Sequence, residues 1–178
     1  MAYTTDGGDG ITGMAKGYIK NEAIDLWTAY SEAEALKQIQ TGQYADFGTM
    51  STWPVNNHIL PVILMKPVQG EDILQSNCYK KAKEDEKQRL RKSFKDELRK
   101  TVLLLAKNQQ ILHVNWTSNN VRVHTAAKWG IGKCKIESVT IVNWSYPNVF
   151  HVKPNQNMPN FDQWFDKRFK LSRPDIQA

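Results

Sequence analysis

Leu90, Phe94, Leu98, Val102 and Leu105 recur at steps of four, four, four and three, which lines them along one face of an α-helix. The pattern predicts a long helix over residues 78–107, with Arg89, Lys92, Arg99, Lys100 and Lys107 on the side away from the core. Ahead of Leu90 apolar residues are scarce. The first turns, which carry Lys80, Lys81, Lys83 and Lys87 among three acids, are therefore expected to project from the body.

The remainder of the chain has shorter periods. Residues 1–17 hold five of the ten glycines and almost no large apolar side chains, which predicts a flexible arm with Tyr3, Ile11 and Met14 as its anchors. Over residues 22–30, Ile24, Leu26, Thr28 and Tyr30 alternate as in a strand, while Ile24, Trp27 and Tyr30 also fit one helix face. Ser31 and Glu34 then form a capping-box pattern, predicting a helix that starts there, buries Ala35, Leu36 and Ile39, and stops at Gly42. Residues 44–57 read as a loop with a short strand at 44–47 and with Trp53 as an aromatic suited to insertion or to core filling. Residues 58–65 are rich in β-formers. Pro61 lacks a ladder donor, so an edge strand or a bulge is expected.

The last third reads as β. Residues 111–117 and 121–127 flank Ser118-Asn119-Asn120, the pattern of a hairpin. Residues 133–144 form a long strand whose apolar register shifts near Glu137-Ser138, which predicts a bulge. A further strand is expected at 149–153. Phe161, Trp164, Phe165 and Phe169 give a closing helix an apolar face to dock on the sheet. Together these elements predict an α+β fold: one domain over residues 18–178, an antiparallel sheet with helices on one face, preceded by the arm.

Composition narrows the function. At 178 residues the chain can bury one real core but not two large ones. Cys78 and Cys134 are too few for a disulfide framework and read as free thiols of a reduced, intracellular chain. No charged segment leads into an apolar run, so no secretory signal is expected. The apolar stretches are too short to span a bilayer, which leaves peripheral membrane contact.

The net charge of +6 is concentrated in one place. Residues 80–107 contain eleven bases and five acids, and the rest of the chain holds thirteen of each. A field focused on one helix points to an anionic partner, and Lys80, Lys81, Lys83, Lys87, Arg89, Lys92, Arg99, Lys100 and Lys107 are the candidate anion-binding residues.

Catalytic chemistry has weaker support. His58, His113, His124 and His151 show no metal-ligand spacing, and the cysteines form no Cys-x-x-Cys pair. His113 and His124 fall on strands expected to pair, which could make an acid/base couple, but Glu137 is the only acid between Leu98 and Asp162. Gly130-Ile131-Gly132-Lys133 lacks the spacing and the following helix of a phosphate loop and reads as a turn.

The order AIDLWTAY, SEAEALKQI, an aromatic loop and HILPVILMKP, with GKCKIESVTIVNW later, resembles the strand–helix–loop–strand opening and the long late strand of rhabdovirus matrix protein cores, in the size range of the short plant-virus members. The resemblance covers about half of the chain and lies in element order. It implies a non-catalytic virion protein that needs no cofactor. Such a protein self-associates, with Tyr3, Ile11, Met14 and Trp53 as contacts, and bridges nucleocapsid or RNA to an anionic membrane surface through the basic helix. It would reside in the virion and host cytoplasm, peripheral at the membrane, with nuclear entry open to it. The arm is Gly/Asp-rich where matrix arms are Lys-rich, and the chain has no Pro-Pro-x-Tyr budding motif. The rival classes are a small nuclease or phosphodiesterase using His113 and His124, and a plain nucleic-acid-binding regulator.

Overall fold

The computed structural model describes residues 2–6, 12–17, 22–39, 43–51, 59–127, 134–145, 147–153 and 158–169. The fold is α+β. The chain forms two compact units: residues 1–67 with 144–149, and residues 68–143 with 150–178. Residues 66–70, between the two units, carry no long linker.

In the first unit, four antiparallel strands make a sheet in the order β1-β2-β4-β3: β1 (Ala2–Asp6), β2 (Thr12–Gly17), β3 (Tyr44–Ser51) and β4 (Ile59–Met65). Within the segment expected as a flexible arm, the described residues 2–6 and 12–17 form paired strands. Their register runs from Ala2 opposite Lys16 to Asp6 opposite Thr12, and β2 continues onto β4 from Met14 opposite Met65 to Gly17 opposite Val62. Backbone ladders on both sides of β2 pair the main-chain groups of a glycine-rich segment, a contribution that composition does not reveal.

Strand β4 is central rather than an edge. Pro61 faces Thr49 on β3 and lies one residue beyond Val62, where the described β2 ladder ends. The bulge of this sheet lies on β3 between Tyr44 and Asp46. β3 is also twice the length of the expected short strand.

A single helix, α1 (Glu22–Ile39), replaces the expected strand followed by a helix. Ala29, Ala33 and Leu36, spaced four and three apart, are all buried, so the apolar stripe runs unbroken past Ser31. Ser31 lies inside the helix rather than at its start, and its hydroxyl donates back to the Thr28 carbonyl at 3.2 Å, the bond a serine makes inside a helix. Glu32, 1% exposed, accepts from the Trp144 backbone N–H at 3.1 Å.

The second unit is built on α3 (Glu84–Asn108), which packs against β5 (Ile111–His113) and β7 (Cys134–Ile141). The expected hairpin is absent. β5 pairs with β8 (Val149–His151), β6 (Val121–Ala127) pairs with β7, and residues 118–120 form a 3-10 turn. The bulge expected near Glu137 is present: His124 lies opposite Ser138 and Thr125 opposite Ile136, which leaves Glu137 as the extra residue.

Gly70 makes one junction feasible. Its φ is +98°, and a Cβ there would sit 2.8 Å from the Val123 carbonyl oxygen, which accepts from the Glu71 N–H at 3.1 Å. Helix α4 (Phe161–Arg168) buries Phe161 and Phe165. Its rings meet Trp116 in the β5–β6 connection, and Phe169 just beyond it meets Phe94 of α3, so it docks on these aromatics rather than on a sheet face.

Candidate functional site

The expected long basic helix is two elements. Helix α2 (Asn77–Lys80) is capped by Ser76, whose hydroxyl accepts from the Tyr79 N–H at 3.1 Å. Residues 81–83 form a turn, and α3 restarts at Glu84, with the Glu86 carboxylate accepting from the Lys83 N–H at 3.3 Å. This segment does not project. Tyr79 is buried, and Cys78 forms a disulfide with Cys134 at the start of β7, with Cα atoms 5.7 Å apart. The free thiols expected from the cysteine count are thus paired. The tertiary fold brings them inside the Cα window a disulfide needs, roughly 4.4–6.8 Å, across a sequence separation of 56 that gives no local signal.

On α3 the buried stripe is Leu90, Phe94, Leu98, Val102 and Ala106. Steps of four throughout replace the predicted final step to Leu105, which is only partly buried.

The nine candidate bases separate by what holds them. Arg99 is not a free surface cation. Its guanidinium lies 2.9 Å from Asp166 and 3.7 Å from Asp162, both on α4, and 5.5 Å over the Phe165 ring. Lys95 joins the same pair at 2.9 Å from Asp166. Its hydrogen bond, with Arg99 beside it, holds Asp166 below the ordinary carboxylate range. Lys92 pairs with Asp96 at 3.0 Å, and Lys100 lies 3.9 Å from Glu97. Arg89 lies 4.0 Å from Asp85, and both are well exposed, so this pair holds weakly. Lys87 sits over the Tyr79 ring at 5.8 Å. Lys80, Lys81, Lys83 and Lys107 are exposed and make no ion pair with any described acidic residue.

Two of the three acids of the first turn are engaged close to home. Glu84 lies 3.6 Å from Arg91, which also donates to the Tyr79 hydroxyl at 2.6 Å, and Glu86 caps Lys83. Lys80, Lys81 and Lys83, exposed and without an ion pair to a described acid, gather positive charge at the α2–α3 turn. Sequence reasoning missed Lys135. This exposed lysine at the start of β7 lines a cleft together with Lys81 and Arg89.

Tyr3 and Met14 lie on β1 and β2, and Ile11 and Trp53 lie outside the described residues. His58 also falls outside them. His113 and His124 occupy strands that do not pair with each other. The His113 ring is 1% exposed and donates from Nε2 to the Asn143 carbonyl at 3.1 Å; His124 Nε2 is 3.2 Å from the Thr140 hydroxyl. Burial lowers the His113 pKa to about 4, opposed in part by the Asn143 hydrogen bond. Among the described residues no group of three His, Cys, Asp or Glu side chains gathers as a metal site, and no described helix is long and apolar enough to cross a membrane.

The His113 shift predicts a pH dependence. The unfolded histidine takes up a proton near pH 6.5 and the folded one only near pH 4, so its contribution is complete above pH 6.5 and is lost as the pH falls toward 4. Lowering the pH from 7 to 5 should cost roughly 2 kcal/mol through this group. Urea unfolding of wild type and His113→Gln at both pH values checks it. The acid-induced loss should shrink by that amount in the variant, and an equal loss in both proteins assigns it elsewhere.

A scan of family models finds no match to this chain, and a search of curated proteins finds none either.

Proposed function

We infer that the protein is a non-catalytic structural protein of the matrix type, which self-associates and bridges an anionic polymer, nucleocapsid or RNA, to an anionic membrane surface. The observation that carries this reading is the exposed lysine set Lys80, Lys81 and Lys83 at a turn where Glu84 pairs with Arg91 and Glu86 accepts from a backbone N–H. Point charges of this kind suit phosphate, whose binding depends on charge number rather than on a shaped pocket. The open edges β1 and β3 of the first unit's sheet offer backbone donors and acceptors for self-association. The burial of His113 and the engagement of its Nε2 favour a packing role over acid/base work.

The test is co-sedimentation with RNA and, separately, with vesicles containing phosphatidylserine. Changing Lys80, Lys81 and Lys83 to Gln should weaken binding to anionic vesicles by about 100-fold, at about 1 kcal/mol per lysine. For RNA it should flatten the salt slope by roughly 0.7 for each phosphate no longer neutralised. Arg99→Gln should leave binding unchanged, because its charge is spent on α4. Wild-type affinity in the triple variant would sink the assignment.

A further inference from the structure

Beside the lysine turn, the second unit has an open cleft of about 430 Å³ between α2, the start of α3 and the start of β7. Its composition is divided. Ala82 and the half-buried Cys78–Cys134 disulfide give it apolar surface above the buried Leu90 and Ile136, while Lys81, Arg89 and Lys135 supply three cations. Lys81 and Lys135 are exposed and make no ion pair with a described acid. The one carboxylate in the lining, Glu86, accepts from the Lys83 N–H. Inorganic phosphate alone would leave the apolar part of such a site wet, and a neutral hydrocarbon would leave its cations without a partner. The volume lies within the roughly 300–1,000 Å³ typical of small-molecule sites.

We propose that this cleft binds the single hydrocarbon chain and anionic headgroup of a free fatty acid. The chain covers Ala82 and the disulfide, and the carboxylate lies among Lys81, Arg89 and Lys135. The inference rests on the proposed function only in taking the anion from lipid, and it needs neither a bilayer nor RNA.

Calorimetric titration of the full chain with dodecanoate below its micelle-forming concentration, in non-reducing buffer, tests it. One-to-one saturable binding is expected. Octanoate, four methylenes shorter, should bind more weakly by roughly fourfold for each methylene left out, equivalent to about 0.8 kcal/mol each. The exposed charge reversals Lys81→Glu and Lys135→Glu together should weaken dodecanoate at least tenfold. Ala82→Trp, which fills the cleft from its lining, should do the same while far-ultraviolet circular dichroism stays unchanged. Absence of saturation, wild-type affinity in both variants, or inorganic phosphate binding as tightly as dodecanoate would each overturn the proposal. Vesicle binding that persists while dodecanoate fails to bind would overturn the cleft and leave the bridging function standing.

Discussion

Replacing Cys78 and Cys134 together by serine is expected to lower the unfolding free energy by about 4 kcal/mol, the chain-entropy value for a loop of this length. The cross-link closes a 56-residue separation between α2 and β7, and that loop contains all of α3, β5 and β6. Without the bond the unfolded chain gains the freedom of the whole loop, while α2 keeps the Ser76 cap and the buried Tyr79 ring with its hydrogen bond from Arg91. Urea titration with and without dithiothreitol gives the value for wild type. The double variant should match reduced wild type and ignore the reductant. If reductant shifts the wild-type midpoint no more than it shifts the variant's, the bridge contributes nothing in solution.

Phe165→Ala should cost roughly 3–5 kcal/mol, the range for emptying a large aromatic from a packed core. The ring is 0% exposed and stacks on Trp116 at 4.5 Å and on Phe169 at 5.8 Å, with Phe161 at 6.0 Å. Its loss should also leave the Arg99 guanidinium without the face it covers, loosening α4 from α3. The tryptophans Trp116 and Trp164, 5.3 Å apart, report on the site directly. Their fluorescence should shift to the red in the variant, and Phe165→Leu should recover most of the stability. A cost below 1 kcal/mol in the urea titration would mean that α4 is not part of the folding unit.

What could be read from the sequence follows the range of each interaction. The stripe Leu90, Phe94, Leu98 and Val102 was legible because helical packing repeats within one turn. The bulge at Glu137 was legible because a register slip of one residue changes the local alternation. The aromatic face of α4 was visible as spacing, but its partners Trp116 and Phe94 were not. Charge concentration was equally plain, yet charge availability was not. Arg99 lost its candidacy to Asp166, 67 residues further on. The nearly acid-free stretch before Asp162 gave no hint that α4 would return carboxylates to α3. The break of the basic segment at residues 81–83 escaped notice because no proline or glycine marks it; the Ser76 cap and the Glu86–Lys83 bond set it instead. The N-terminal strand pair was hidden for a different reason. Its stability comes from ladders to β4, whose registry is a property of paired strands and not of glycine content.

The Glu32–Trp144 bond constrains the order in which a ribosome can deliver a finished protein. Residues 1–67 emerge early, with β4 already between both of its neighbours, but the segment 144–149 that belongs with them is translated only after α3, β6 and β7. During that interval Glu32 lacks the Trp144 N–H, and the indole that completes the unit's core, 1% exposed in the folded chain, has not been made. The nascent first unit therefore stays incomplete until residue 149 is made, and slow codons between residues 68 and 143 would lengthen that interval.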